Sequence, residues 1–141
     1  MTSKNKKYYK ARADRLFSLW IRQKDAVGGV CRCITCGTPH SWRTVHCGHF
    51  MSRRHEATRY HEQNAHAQCV ACNTFDQGKQ YEHGRAINEK YSEVSMFDKN
   101  RMTADKLNIL SKMSCKRGWI DYKIIGDELL EKLKKNNFDI R

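Results

Sequence analysis

Two Cys-x-x-Cys pairs constrain the fold of this chain more than any other feature of its sequence. The first pair is Cys33 and Cys36, and the second is Cys69 and Cys72. Four thiolates are the donor set of a closed, tetrahedral structural zinc site. Gly37 follows the first pair directly, where the tight turn of a zinc knuckle often needs a positive φ angle. The spacing predicts a zinc-stabilised module whose insert, longer than a plain zinc ribbon needs, carries the functional residues.

The other cysteines comprise one alternative ligand and two thiols without an assigned role. Cys31 precedes the first pair, but the spacing of the knuckle favours Cys33 and Cys36, which leaves Cys31 as a small buried thiol. Cys47 and Cys115 receive no role from the sequence. Seven cysteines without a secretory signal indicate metal ligation in a reducing compartment rather than disulfides.

The charge balance favours a polyanionic partner. Lys and Arg number 27 against 15 Asp and Glu, which gives a formal net charge of +12. Each basic side chain that neutralises a phosphate releases condensed counterions and so strengthens binding to nucleic acid. RNA, duplex DNA and anionic lipid all fit the charge alone. No apolar run reaches membrane-spanning length, however, and the basic N-terminus does not resemble a signal peptide.

Residues 2–27 are predicted to form an amphipathic helix. Their apolar residues recur with a period of 3.6 and form one face: Tyr9, Ala13, Leu16, Phe17, Trp20 and Ile21. The first half of the helix is basic and carries Lys4, Lys6, Lys7, Lys10, Arg12 and Arg15. This one-signed run favours contact with nucleic acid, and a solvated charged face over a packed stripe is the alternative. Gly28 and Gly29 then end the helix.

A β-hairpin followed by a helix, clasped by zinc at both cysteine pairs, is the treble-clef arrangement. Residues 30–38 are predicted to form the first knuckle and residues 41–50 the second half of the hairpin. A helix is expected from Cys69 onward.

Three further helices are predicted after the second cysteine pair. The first follows a turn at Gly78 and is spaced by Tyr81, Ile87 and Tyr91. The second runs from an N-cap at Thr103 through Cys115 to a stop at Gly118, with Leu107, Leu110 and Met113 inward. The last carries Tyr122, Ile125, Leu129 and Leu133 and ends in Lys132, Lys134 and Lys135. The flanking helices either cover the zinc module or form a partner interface.

The predicted fold class is therefore α+β. A small zinc-clasped treble-clef (ββα-metal) core at residues 30–91 lies between a basic N-terminal helix at residues 1–29 and a helical C-terminal extension at residues 92–141.

Any catalysis needs a second site, because a zinc ion closed by four cysteines has no open position. The candidates are His46 and His49 on one predicted strand and Asn73 directly after the last cysteine. Residues i and i+3 of a regular strand face opposite sides, so both histidines could serve one site only if the strand bulged. Gly48 is the residue that would permit such a bulge.

These residues resemble the motif of the His-Asn-His/Asn (HNH, or ββα-metal) nucleases, in which His49, Asn64 and Asn73 would be the matching positions. More narrowly, four segments are similar to the NinG (Rap) phage recombination nucleases. The segments are Cys47-Gly-His-Phe-x-Ser-Arg, Arg59-Tyr60, Asn64-x-His66-x-Gln68-Cys69-x-x-Cys72-Asn73 and Gly78-x-x-Tyr81. The resemblance covers residues 30–91.

The resemblance implies a role for each matching residue. His49 would be the general base that deprotonates the attacking water, and a structural histidine or an extra zinc ligand is the alternative. Asn73 would bind the catalytic divalent ion, and a helix-capping amide is the alternative. Asn64 would hold the loop and orient the histidine. The residues expected to hold the DNA backbone, unless they are ordinary solvated side chains, are Arg53, Arg54, Arg59, Lys6, Lys7 and Lys10.

The second ligand of the catalytic ion departs from the family pattern. Many HNH nucleases place an Asp or a second His directly before the base, where this chain has Gly48, and His46 is the nearest candidate. Imidazole suits Mn²⁺ better than Mg²⁺, which prefers hard oxygen donors. Either His46 is the ligand and the ion is not strictly Mg²⁺, or His66, Glu82 or His83 completes the site. The expected cofactors are a structural Zn²⁺ and a catalytic Mg²⁺ or Mn²⁺.

The function implied is hydrolysis of DNA phosphodiesters in branched recombination intermediates such as D-loops and Holliday junctions. Symmetric cutting of two strands would need two active sites, so a homodimer is expected. Reduced cysteines and the phage-like resemblance place the protein in the cytoplasm of a bacterial host. The alternatives are a zinc-stabilised nucleic-acid-binding module without catalysis and a zinc-dependent subunit interaction domain.

Overall fold

The computed structural model describes residues 2–93, 100–113 and 120–141, and its fold is α+β with two small antiparallel hairpins. The helices are α1 Ser3–Lys24, α2 Glu56–Arg59, α3 Gln80–Lys90, α4 Ala104–Ser111 and α5 Tyr122–Lys135. The strands are β1 Val30–Arg32, β2 Pro39–Ser41, β3 His46–His49 and β4 Ala65–Gln68. A five-residue π-helix, Ala71–Phe75, follows β4. The fold class agrees with the prediction.

The N-terminal helix is three residues shorter at its C-terminal end than predicted. The Thr2 hydroxyl caps its first turn by accepting from the amide of Asn5. Gly28 and Gly29, with φ angles of 58° and 79°, lie beyond the helix in the turn that leads into β1. The two glycines therefore do not end the helix as predicted but form part of the turn between α1 and β1. Glycine is suited to this turn because it adopts such positive φ angles without strain.

The apolar face of α1 is the centre of the main hydrophobic core. It packs against α5 and against the β3–β4 hairpin, which brings the N- and C-terminal segments together over the middle of the chain. The buried residues of this cluster are Leu16, Phe17, Leu19, Trp20, Ile21, Ala65, Leu129 and Leu133. Burial of each large side chain contributes about 1.5–3 kcal/mol. The three predicted segments thus share one core, while the division into domains stays a prediction.

The strand pairing differs from the predicted hairpin. β1 pairs with β2, Val30 opposite Ser41, whereas β3 pairs with β4, His46 opposite Gln68. Residues 41–50 are therefore not the second half of one hairpin. A tight turn, in which Gly37 has a φ angle of 73°, reverses the chain soon after β1. The partner strand β2 begins two residues after Gly37, at Pro39.

The helix predicted from Cys69 onward is a π-helix that stops early. The amide of Asp76 donates to the carbonyl of Ala71, five residues back, over 3.1 Å. Gln77, Gly78 and Lys79 then have φ angles of 53°, 78° and 45°. Three consecutive left-handed residues cannot continue a right-handed helix, so α3 begins only at Gln80 and the predicted turn at Gly78 is present.

The helix α4 begins at the predicted N-cap, Thr103. The Thr103 hydroxyl accepts from the amide of Lys106 over 3.2 Å at the start of α4. α4 ends at Ser111, and the predicted end at Cys115 and stop at Gly118 lie outside the described residues. Met113, expected to face inward, is 52 % exposed. In the described ranges, no helix combines the length and the apolar character that crossing a membrane requires.

Candidate active site

Four cysteine side chains form one cluster. The Sγ atoms of Cys33, Cys36, Cys69 and Cys72 lie within 4.8 Å of one another, and those of Cys36 and Cys69 are 3.8 Å apart. A tetrahedral zinc ion with bonds of about 2.3 Å separates its ligand sulfurs by about 3.8 Å. The cluster therefore fits a metal ion such as zinc.

Local backbone geometry brings these four residues together. Cys33 directly follows β1, and its carbonyl accepts from the amide of Gly37 over 2.8 Å, which closes the first knuckle. The amide of Ile34 donates to the carbonyl of Ala67 over 2.9 Å and ties this knuckle to β4. Cys69 directly follows β4 and Cys72 lies in the π-helix. The second sheet thus sets the distance between the two pairs.

Two of the clustered thiols differ in acidity. Burial opposes ionisation of Cys33, but hydrogen bonds from the backbone of Cys69 and from the Thr35 hydroxyl lower its pKa to about 6. Burial raises the pKa of Cys72 to about 12, so this thiol loses its proton only to a bound metal. Cys31 lies outside the cluster, with its Sγ 3.6 Å from the His40 carbonyl. The geometry favours Cys33 over Cys31, as the spacing predicted.

Three of the predicted site residues border one cavity, and Asn64 does not. His46 and His49 of β3 and Asn73 of the π-helix border a cavity of about 660 Å³. β3 pairs with β4 residue for residue, so the predicted bulge is absent and was not needed for both histidines to border the cavity. Gly48 has another role: a Cβ atom there would lie 2.3 Å from the Gln68 side-chain oxygen. Glycine therefore allows the close approach of Gln68 across the hairpin.

His49 is a partly buried imidazole whose two ring nitrogens have different surroundings. Its Nε2 lies 2.9 Å from the carbonyl oxygen of Arg59. A carbonyl only accepts hydrogen bonds, so Nε2 carries the proton and Nδ1 is the unprotonated nitrogen. Burial lowers the pKa of His49 and outweighs the backbone hydrogen bonds to Arg59 and Cys47, both of which favour the charged ring. The ring can therefore accept a proton at Nδ1 at neutral pH.

His46 and Asn73 contact each other on the cavity wall. The amide nitrogen of Asn73 lies 2.9 Å from Nδ1 of His46. The amide NH₂ donates and Nδ1 of His46 accepts, so this hydrogen bond must be released before Nδ1 can bind a metal ion. The pair would then offer one nitrogen and one oxygen donor. Among the described residues, only the four cysteines form a group of three or more His, Cys, Asp or Glu ligands. A divalent ion held by His46 and Asn73 would complete its coordination with water or substrate oxygens.

The alternative metal ligands lie elsewhere. Nδ1 of His66 is 3.1 Å from Nε2 of His83, and Nε2 of His66 is 2.9 Å from the Tyr91 hydroxyl. Burial lowers the pKa of His66 to about 2 and that of His83 to about 4, so both rings are neutral at pH 7. Glu82 is exposed on α3. In the part of the chain that the structure describes, none of these three ligands borders the His46–His49 cavity.

Asn64 holds the loop between β3 and α2. Its side chain is fully buried, and its amide nitrogen donates to the carbonyls of Met51 and Thr58 over 3.0 and 3.1 Å. Its side-chain oxygen accepts from the amide of Met51 over 2.9 Å. Asn64 thus fixes the segment that supplies the Arg59 carbonyl, and its effect on His49 stays a prediction.

The position of Arg59 does not fit the predicted contact with DNA. Its side chain is only 10 % exposed and forms a two-pronged ion pair with Asp14, 2.6 Å at its shortest. A guanidinium that is buried and paired in this way is not free to bind a phosphate. Arg59 is therefore a structural residue beside the cavity.

The other predicted basic contacts remain accessible. Arg53 is exposed and borders the cavity, while Arg54 borders a second cavity of about 320 Å³ that also includes His49 and Asn73. At the start of α1, Lys6 and Lys7 are exposed, and Lys10 contacts Glu56 over 3.4 Å.

The structure adds three cavity residues that the sequence did not single out. Asp14 and Arg22 come from α1, and Arg43 stacks on Trp42 with its guanidinium 4.4 Å from the ring centre. Asp14 carried a signal, because it is the single acidic residue of α1. Arg22 and Arg43 carried none, since they resemble the many other basic residues of the chain.

The chain was compared with protein families, curated proteins and solved structures. Residues 1–120 match the family model described as "NinG: Bacteriophage Lambda NinG protein". Neither the curated proteins nor the solved structures gave a match. The family match includes α1, and with it Asp14 and Arg22.

Proposed function

The chain belongs to the NinG family, and from that premise we propose that it is a metal-dependent DNA endonuclease of the HNH type. The observation that carries the proposal is the cavity in which a neutral His49, protonated on Nε2, lies with the contacting pair His46 and Asn73. A base beside an imidazole–amide pair is the arrangement that metal-assisted hydrolysis requires. A pure binding module has no need of it.

The four cysteines would hold a structural zinc in a treble-clef core. In support, the zinc knuckle, the β3–β4 hairpin and the π-helix meet at the sulfur cluster. The metal would thereby fix the relative positions of β3, which carries His46 and His49, and the π-helix, which carries Asn73.

In the proposed reaction, Nδ1 of His49 takes a proton from a water molecule that attacks the scissile phosphorus. The phosphorus–O3′ bond breaks, and the leaving O3′ takes a proton from solvent water, which leaves a 5′ phosphate and a 3′ hydroxyl. His46 and Asn73 would hold the divalent ion, which when bound stabilises negative charge on the phosphate and the leaving oxygen. The nitrogen donor of His46 and the oxygen donor of Asn73 favour Mn²⁺ at least as much as Mg²⁺.

DNA would approach across the arginines at the cavity. Arg22, Arg43 and Arg53 border it, and the exposed lysines of α1 extend the basic surface. We propose branched recombination intermediates as substrates, in the cytoplasm of a bacterial host. A homodimer would supply the two active sites that symmetric cutting of a junction needs.

Replacing Arg53 by alanine is expected to weaken DNA binding uniformly across sequences. One lost phosphate contact should reduce the slope of log K against log salt concentration by about 0.9. Fluorescence anisotropy over a salt series measures this slope. Arg32→Ala, an exposed arginine on β1 that does not border the cavity, is the matched control. An unchanged slope in Arg53→Ala would remove Arg53 from the DNA contacts.

The proposed function is tested by incubating labelled linear duplex, D-loop and four-way junction DNA with the protein in EDTA, Mg²⁺ and Mn²⁺. The zinc content of each sample is measured as well, because EDTA can strip the cysteine site. We expect cutting only with a divalent ion, and more of it on branched DNA. Binding without cutting in every metal, by protein that retains its zinc, would instead identify a zinc-stabilised binding module.

A further inference from the structure

A single carboxylate of α1 organises the segment beside the His49 ring. Asp14 Oδ1 accepts from Nε of Arg59 over 2.9 Å, and Oδ2 accepts from Nη2 over 2.6 Å. The Tyr60 hydroxyl also donates to Oδ1, over 2.8 Å. The remaining guanidinium nitrogen, Nη1 of Arg59, donates to the carbonyl of Arg53. Both ends of the segment 53–60 are thus held through one aspartate.

The ion pair between Asp14 and Arg59 is stable at neutral pH, because Asp14 stays ionised there. Burial alone would raise the pKa of Asp14, but hydrogen bonds from Arg59 and Tyr60 lower it below its usual value. A two-pronged pair between an arginine and a carboxylate fixes both position and orientation. The Phe17 ring packs against the same group, 5.6 Å from the Tyr60 ring and 5.7 Å from the His49 ring.

The fixed segment includes the atom that determines the tautomer of His49. The carbonyl oxygen of Arg59 lies 2.9 Å from Nε2 of His49, and at this position it favours the tautomer that carries the proton on Nε2. The side chain of the same residue is held by Asp14. A shift of the segment would move the carbonyl away from Nε2 and would release the ring.

We propose that Asp14 is a positioning residue that sets the tautomer and orientation of His49 by holding Arg59. The inference rests on the proposed function in so far as it assigns His49 as the general base. It assigns a role in the reaction to the first helix, which lies outside the segment 30–91 in which the sequence located the nuclease motif. In this role Asp14 acts through Arg59 rather than on the attacking water or the phosphate.

The test uses Asp14→Asn, which keeps the size of the side chain but removes its charge and one of its acceptor oxygens. Asp127→Asn is the matched control, because Asp127 also pairs an arginine of α1, Arg12, over 2.9 Å, but on the exposed side of α5. Nitrogen-15 NMR of the histidine rings reports the His49 tautomer. Cleavage under single-turnover and multiple-turnover conditions reports kcat and KM.

We expect Asp14→Asn to lose the single Nε2–H form of His49 and to lower kcat on the order of 10- to 100-fold, with KM changed less than about twofold. Asp127→Asn should leave the tautomer and kcat as in the wild type. Arg59→Lys keeps the charge but loses the guanidinium fork, so it should reproduce the effect. In the double variant Asp14→Asn/Arg59→Lys the losses should not add.

A His49 tautomer unchanged in both Asp14→Asn and Arg59→Lys would overturn the inference, whatever the activity. If Asp14→Asn fails to fold, Arg59→Lys decides the question by the same NMR measurement. A tautomer that responds to Asp14 in a wild-type protein that does not cut DNA would support the positioning role and refute the proposed function. The two proposals therefore fail by different measurements.

Discussion

Replacing His49 by alanine is expected to slow metal-dependent DNA cleavage by about 10²- to 10⁴-fold, the usual contribution of a positioned general base. DNA affinity should stay within about twofold, because burial lowers the pKa of His49 and disfavours a positive charge on the ring at neutral pH. Single-turnover cleavage of a junction in excess Mn²⁺ measures the first quantity, and anisotropy in EDTA-free buffer without divalent ion measures the second.

The matched control is His40→Ala. His40 is a partly buried histidine on β2 and does not border the cavity, so this variant should cut DNA at the wild-type rate. Equal cutting by wild type and His49→Ala would refute the assignment of His49 as the base. Equal losses in His49→Ala and His40→Ala would point to general destabilisation rather than to a lost base.

The same assignment fixes the sign of the pH dependence. Burial holds the pKa of His49 below 6.5, so the ring stays neutral as the pH falls towards that value. Cutting should therefore persist at pH 6.5 and decline only at lower pH, when Nδ1 becomes protonated and can no longer accept the proton of water. The residual cutting by His49→Ala should not show this decline at low pH.

The sequence predicted those features that depend only on residues close together in the chain. The cysteine spacing located the sulfur cluster, because a knuckle and a helix turn each bring residues i and i+3 together. The apolar period of α1 located its buried face, and Thr103 located the start of α4. In each case the residues that carry the signal also make the contact.

Features that depend on distant contacts were predicted poorly. The partner of β3 is β4, sixteen residues beyond its end, and nothing in residues 41–50 distinguishes that pairing from one with β1. The site shows the same limit. Arg59 was expected to bind DNA because it is basic and follows the motif, whereas its partner Asp14 lies 45 positions earlier in the chain. Only the packing of α1 on the β3–β4 hairpin brings them together.

Replacing Cys33 by serine is expected to release the metal and to lower the thermal midpoint by about 10 °C or more. Structural zinc sites contribute folding free energy directly, with apparent values of about 10–16 kcal/mol in zinc-finger peptides. The loss should be smaller here, because α1 and α5 keep a core that contains none of the four clustered cysteines. Metal analysis of the purified variant and a thermal unfolding curve measure the two effects, and the wild type should contain one zinc per chain.

Cys31→Ser is the control that separates loss of a ligand from loss of a buried thiol. Cys31 is as buried as Cys33, at 4 % against 2 % exposure, but its sulfur faces the His40 carbonyl, to which a serine hydroxyl could also donate. This variant should keep its zinc and lose about 1 kcal/mol of stability. Zinc loss in Cys31→Ser with zinc retained in Cys33→Ser would reverse the ligand assignment. Because Cys69 and Cys72 flank the start of the π-helix, zinc loss should also displace Asn73 and abolish cutting, even where α1 and α5 remain folded.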